Sequence, residues 1–152
     1  YRLILHFSGH ADEGEEGGLY WYSETGKRVK EQQVTGRQLA GLIRVKDTDA
    51  GGAALLSAID LGFLNACCTL AEGMQLHRLG LRVVVCWANP VRDGPSREFV
   101  NKFYREVRSN PGGYSSAFAV ACEEMGSQLS EYRPCLLQQP GGKVEMWDGK
   151  GL

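Results

Sequence analysis

A thiol and an imidazole stand at the ends of two apolar segments of the chain. Phe7-Ser8-Gly9-His10 closes the first segment, and Leu64-Asn65-Ala66-Cys67 closes the second. The carboxyl ends of parallel strands meet at one edge of a sheet, where residues far apart in sequence can act together as nucleophile and base. We therefore expect Cys67 to be a nucleophile and His10 to be the group that handles protons during acyl transfer.

The surroundings of Cys67 are predicted to support this chemistry. A cysteine between a strand and a helix lies at the positive end of that helix, which favours the thiolate. Strand ends also leave backbone N–H groups free to stabilise a tetrahedral oxyanion. The natural donors are those of Cys67 and of the two neighbours of His10, which are Gly9 and Ala11.

Apolar segments alternating with helical patterns indicate the fold class. Core strands are predicted at residues 2–8, 60–66 and 81–87. Between them, helices are predicted at residues 36–45, behind Thr35 as N-cap, and at residues 70–78. This alternation implies an α/β protein with a mainly parallel sheet flanked by helices.

Further elements are predicted around these strands. A hairpin is expected from residues 19–22 and 28–29 on either side of Glu24-Thr25-Gly26, amphipathic helices over 95–108 and 114–125, and short strands at 135–137 and 144–147. His6 is interpreted as a strand residue without chemistry. His77, near a helix end, is expected to be solvated.

Length and composition narrow the class of protein. The 152 residues, 43% of them hydrophobic, suit one domain over residues 1–152. The net charge of −1 predicts no general attraction to nucleic acid or to an anionic membrane. No apolar stretch approaches the roughly 20 residues of a membrane span, so we expect a soluble cytoplasmic protein. Five cysteines without regular spacing argue against a disulfide framework.

The two chemical motifs resemble those of a known group of peptidases. Asn65-Ala66-Cys67 is similar to the caspase signature, in which the nucleophile follows an alanine and the histidine lies about 50 residues upstream. More specifically, the chain resembles the CHAT domains, caspase-like cysteine peptidases of clan CD to which separase is distantly related. The match covers most of the chain, at residues 5–10, 17–19, 63–67, 83–87, 90–93 and 98–104.

The resemblance implies a cysteine endopeptidase that acts on protein or peptide substrates through a dyad of His10 and Cys67, without a metal or organic cofactor. It also implies a six-stranded caspase-like sheet whose first two strands would precede residue 1. The chain is then expected to be the C-terminal part of a longer protein with regulatory or repeat domains. Two positions depart from the family pattern: Ala11 stands where glycine is common, and Cys68 where a polar residue is common.

The resemblance further suggests a substrate preference. In separase-like relatives that cleave after basic residues, an acidic side chain beyond the third core strand lines the first pocket, and Asp93 takes that position. A buried carboxylate there would favour Arg or Lys through a charge-assisted pair. Asp93 is alternatively the cap of the helix that follows.

Other hypotheses remain open at this point. The first is an inactive caspase-like protein-interaction module with a vestigial dyad, which the alanine at position 11 favours. The second is a zinc site formed by His6, His10, Cys67 and Cys68, although their spacing fits no usual zinc pattern. The acidic run at residues 12–16 is interpreted as a solvated loop that could touch a substrate or a regulator.

Overall fold

The apolar segments form the strands of a five-stranded sheet in a computed structural model that describes residues 2–11, 18–21, 32–43, 58–138 and 143–146. The strands are β1 (Leu3–Ser8), β2 (His10–Ala11), β3 (Leu19–Trp21), β4 (Gln32–Val34), β5 (Ile59–Asn65), β6 (Val83–Trp87), β7 (Pro134–Gln138) and β8 (Lys143–Met146). The helices are α1 (Gly36–Ile43), α2 (Leu70–Arg78), α3 (Asp93–Ser109) and α4 (Tyr114–Met125), and a 3-10 turn (Gly126–Leu129) follows α4.

The main sheet has the strand order β1-β5-β6-β7-β8. Strand β5 lies parallel to both β1 and β6, whereas β7 is antiparallel to β6 and to β8. Four of the five strands therefore run in the same direction. The predicted mainly parallel α/β sheet is confirmed, and its predicted core strands are the three parallel neighbours.

Both faces of the sheet are covered by helices. Alternate residues of β5 and β6, such as Phe63 and Trp87, pack against α3 and α4. Their neighbours, such as Leu64 and Cys86, pack on the other face with residues of α1 and α2. Burial on both faces explains why these strands read as continuous apolar runs in the sequence.

A second, three-stranded sheet is formed by β2, β3 and β4. Strand β3 pairs in antiparallel fashion with Gln32–Val34. The predicted hairpin residues 28–29 lie outside the described part of the chain. The Thr35 cap of α1 is confirmed: the Gln38 N–H donates to Thr35 Oγ1 (3.2 Å), and the Thr35 N–H donates to Gln38 Oε1 (2.9 Å). This reciprocal pair is a capping box.

Two further expectations need correction. His77 is buried rather than solvated, and its Nδ1 lies 2.8 Å from the carbonyl oxygen of Leu81. The chain after α2 turns back over the helix end, which removes the ring from water. Helix α3 begins at Asp93, two residues before its predicted start.

In the described part of the chain, none of the helices is long and apolar enough to cross a membrane.

Candidate functional site

A cavity of about 350 Å³ opens at the edge of the main sheet where the parallel strands end. Its walls are formed at the end of β1 by residues 8–10, at the end of β5 by residues 65–67, by Val91, and by three residues in the first turns of α3, which are Asp93, Ser96 and Arg97. The structure thus brings His10 and Cys67 to one cavity at the sheet edge, and Asp93, which the resemblance pointed to, lines the same cavity. The size is at the lower end of the range of ligand pockets.

The register of β1 and β5 places His10 and Cys67 at this edge. The last paired residues of the two strands are Ser8 and Asn65, and the Gly9 N–H donates to the carbonyl oxygen of Asn65 at 3.3 Å. His10 and Cys67 each lie two residues beyond that last pair. His10 is exposed and starts the short strand β2, whereas Cys67 is partly buried.

The turn that carries Cys67 has an unusual backbone. Cys68 has a φ of 53°, and it is the one residue other than glycine with a positive φ in the described part of the chain. A side chain in this left-handed region costs about 1–2 kcal/mol, and such strain is concentrated at functional sites. The Cys68 N–H donates to the carbonyl oxygen of Asn89 (3.4 Å), which ties the turn to the segment after β6.

The hydroxyl group of Thr69 stabilises the same turn through hydrogen bonds to the backbone. Its buried hydroxyl lies 3.1 Å from the carbonyl oxygen of Leu64 and 3.2 Å from that of Ala66, and it accepts a hydrogen bond from the Trp87 N–H at 3.2 Å. Thr69 is the N-cap residue of α2, but its side chain does not cap the helix. The hydroxyl instead fixes the strand end from which Cys67 projects.

The thiol of Cys67 contacts the backbone of Val91. Its Sγ lies 3.4 Å from the Val91 carbonyl oxygen and 3.4 Å from the Val91 nitrogen, so the backbone can accept from the thiol and donate to the sulfur. The segment after β6 therefore forms part of the immediate environment of the nucleophile.

Asn65 links the three parallel strands at their carboxyl ends. Its buried side chain accepts a hydrogen bond from Trp87 Nε1 (3.2 Å) at the end of β6 and donates a long one to Ser8 Oγ (3.5 Å) at the end of β1. Because Cys67 and His10 each lie two residues beyond members of this network, Asn65 helps to fix their relative position.

The three expected oxyanion donors differ in availability. The Gly9 N–H already donates to Asn65. Ala11 pairs with Leu19 in the small sheet and packs on the apolar face, and it does not line the cavity. In the described ranges, the Cys67 N–H has no hydrogen-bond acceptor. This leaves Cys67 as the donor that the geometry favours most.

Asp93 lies in the cavity wall. Its side chain is exposed, whereas the sequence analysis expected a buried carboxylate. The N-cap position of α3 is Arg92, and no side-chain cap hydrogen bond forms, so the alternative interpretation of Asp93 as a helix cap is wrong. As the first residue of α3, its carboxylate is favourably placed next to the positive helix end.

His6 lies away from the cavity. Its ring stacks on Phe63 (centroids 5.3 Å apart), and its Nδ1 lies 2.8 Å from the hydroxyl oxygen of Tyr104. Burial against these rings lowers the pKa of His6.

In the ranges that the structure describes, no group of three or more His, Cys, Asp or Glu side chains could hold a metal ion, so the four-ligand zinc hypothesis finds no support.

Several residues of the site carried no role in the sequence analysis: Asn65, Thr69, Val91, Ser96 and Arg97. Asn65 is the one with a recognisable signal, because a polar amide at the end of a buried strand needs partners. The others depend on how α3 and the segment after β6 are placed over the strand ends.

No family model matches the chain, and no curated protein matches it in sequence.

Proposed function

We propose that the chain is a cysteine endopeptidase of the caspase-like type, related to the CHAT domains, in which Cys67 and His10 form the dyad. The observation that carries this proposal is that both residues line the same cavity, at the ends of adjacent parallel strands. Cys67 follows β5 and His10 follows β1, so the paired ends of two adjacent strands position the nucleophile and the base.

The proposed reaction proceeds through an acyl-enzyme. The thiol proton passes to His10, Sγ bonds to the scissile carbonyl carbon, and the Cys67 N–H stabilises the oxyanion. His10 then protonates the leaving amine as the C–N bond breaks. In the second half, His10 removes a proton from water, which attacks the thioester and releases the acid product, and the thiol is regenerated.

Asp93 is proposed to bind a basic side chain next to the scissile bond. The carboxylate is exposed in the cavity wall, and it can form a charge-assisted pair with Arg or Lys. Peptides that differ only in Arg, Asp or Leu before the scissile bond test this preference. We expect faster hydrolysis of the Arg peptide, and a preference for the Asp peptide would contradict the role of Asp93.

The dyad itself is tested by thiol reactivity. With limiting iodoacetamide at neutral pH and mass-spectrometric mapping, we expect Cys67 to react first, ahead of the buried Cys86, Cys122 and Cys135. His10→Ala should slow this labelling. His6→Ala is the matched control, because His6 lies on β1 and does not line the cavity. This variant should leave the labelling rate of Cys67 unchanged. Equal rates in the parent and His10→Ala would contradict the dyad.

A protein-interaction module is the second candidate function. It is favoured by two observations: the thiol is engaged by Val91, and the Gly9 N–H is already bonded. Cys67→Ala separates the two functions. It abolishes peptide hydrolysis if the chain is a peptidase, whereas an interaction module binds its partner equally well in both forms and hydrolyses nothing in either.

A further inference from the structure

Helix α3 places two opposite charges in the wall of the cavity. Asp93 and Arg97 both line it, and both side chains are exposed. Residues four apart lie on the same face of a helix. Since a helix rises about 1.5 Å per residue, their Cα atoms are about 6 Å apart along the axis. The cavity beside Cys67 therefore has an acidic and a basic position on one wall.

These two charges do not neutralise each other. The neighbouring pair at the same spacing, Glu98 and Lys102, forms an ion pair at 3.4 Å. By contrast, none of the ion pairs among the described residues includes Asp93 or Arg97. Both side chains are thus available to a ligand, and the chemistry of Arg97 is not explained by the proposed contact of Asp93 with a basic side chain.

The guanidinium group of Arg97 is suited to one class of partner. It is always charged at neutral pH, and it presents planar donors that match the two oxygens of a carboxylate. We propose that Arg97 is a specificity-determining residue that binds a carboxylate of the substrate, adjacent to the basic group at Asp93. This inference rests on the proposed peptidase function, and it defines the substrate as a peptide with neighbouring basic and acidic side chains.

A pair of charge-matched alkylating reagents tests the anion site without any peptidase assay. Iodoacetate carries a carboxylate and iodoacetamide does not, so the ratio of their rates at Cys67 reports the local charge. We expect Arg97→Gln to lower the iodoacetate to iodoacetamide ratio about threefold to fivefold at low salt, the upper part of the range that an exposed ion pair supports. Asp93→Asn should raise the same ratio.

Arg108→Gln is the matched control for the change in net charge. Arg108 is exposed on the same helix and does not line the cavity. It lies three turns beyond Arg97, about 16 Å along the axis, and is screened by solvent. The ratio should be unchanged in this variant. An Arg97→Gln ratio equal to that of the parent would overturn the proposal.

Peptide hydrolysis then separates this inference from the proposed function. In peptides with a central Arg flanked by Glu or Gln, we expect the parent to prefer Glu in kcat/KM and Arg97→Gln to lose that preference. Active hydrolysis with the same preference in both forms would overturn the role of Arg97 and leave the peptidase assignment intact. A reagent ratio that depends on Arg97, with no hydrolysis of any peptide, would overturn the peptidase assignment and retain the anion site.

Discussion

The thiol of Cys67 and the backbone of Val91 form a reciprocal contact, with Sγ 3.4 Å from both the nitrogen and the carbonyl oxygen of Val91. The Val91 N–H can donate to the sulfur, and the Val91 carbonyl oxygen can accept from the thiol. The position of the nucleophile in the cavity therefore depends on the segment that carries Val91.

Asn89 keeps that segment in place, which leads to a first prediction. Its Nδ2 donates to the carbonyl oxygen of Glu131 (2.6 Å), and its Oδ1 accepts from the Arg133 N–H (2.7 Å). We expect Asn89→Ala to lower the free energy of unfolding by about 1–2 kcal/mol because both bonds are lost. Alkylation of Cys67 should slow as well, since Val91 is less firmly placed.

The matched variant for this test is Asn89→Asp. It keeps the acceptor for the Arg133 N–H and loses the donor to Glu131, so its urea midpoint should lie between those of the parent and Asn89→Ala. Stability equal to the parent in both variants would show that this side chain does not hold the segment.

A second prediction concerns Asn65. Asn65→Leu should lower the free energy of unfolding by about 2 kcal/mol, because the buried Nε1–H of Trp87 is left without its acceptor. The rate of Cys67 alkylation should also fall, since the strand ends lose their link. Ser8→Ala removes only the long 3.5 Å bond from Asn65 and should change the stability by less than about 0.5 kcal/mol. Equal losses in the two variants would contradict a dominant role for the Trp87 contact.

The limits of prediction from sequence are visible in these same residues. Val83–Trp87 is recognisable as a strand because β-branched side chains and burial on both faces act locally. The placement of His10 and Cys67 at one edge follows from parallel strand order. By contrast, the partners of Asn65 come from β1 and β6, 57 and 22 residues away, and no local pattern specifies them.

Features that the sequence analysis missed or predicted wrongly also have physical explanations. Strand β4 is the polar segment Gln32-Gln33-Val34, which has no clear alternation, so the sequence does not indicate this strand. His77 was expected to be solvated from its position at a helix end, but burial there depends on how the chain returns through Leu81. The place of Arg97 in the cavity wall depends on the orientation of α3 relative to the strand ends, which amphipathic periodicity alone does not give.

A third prediction follows from the left-handed backbone of Cys68. β-Branched side chains tolerate this conformation least, and asparagine tolerates it better than most. We expect Cys68→Val to lower the free energy of unfolding by more than about 1 kcal/mol, and Cys68→Asn to be close to neutral. Urea unfolding measures both. Equal stability of the two variants would show that the turn does not hold residue 68 at positive φ in solution.

A fourth prediction concerns a buried carboxyl group on α2. Glu72 is 0% exposed, and neither carboxylate oxygen has a hydrogen-bond partner of good geometry among the described residues. Burial raises the pKa of Glu72, and the nearby backbone N–H groups of Glu72 and Gly18 oppose this rise only in part. The native state therefore binds this proton more tightly than the unfolded chain does.

The sign of the pH dependence follows from that difference. As the pH rises through the ordinary carboxyl pKa towards the raised value, the unfolded chain loses its proton first, so the native state loses stability. Glu72→Gln removes this loss. We expect the variant to match the parent at pH values below the ordinary carboxyl pKa. At neutral pH it should exceed the parent by about 1–2 kcal/mol, because a buried carboxylate costs more free energy than a buried neutral amide.

Glu124 provides a control of opposite sign. Arg105 and Lys102 lower the pKa of this exposed carboxyl group through hydrogen bonds, so its ionised form favours the native state above the ordinary carboxyl pKa. Glu124→Gln should therefore give no gain at neutral pH. Urea unfolding of the parent and both variants across the acid range provides the comparison. A Glu72→Gln advantage that stays constant with pH would show that lost packing or hydrogen bonding, and not ionisation, sets the stability at this position.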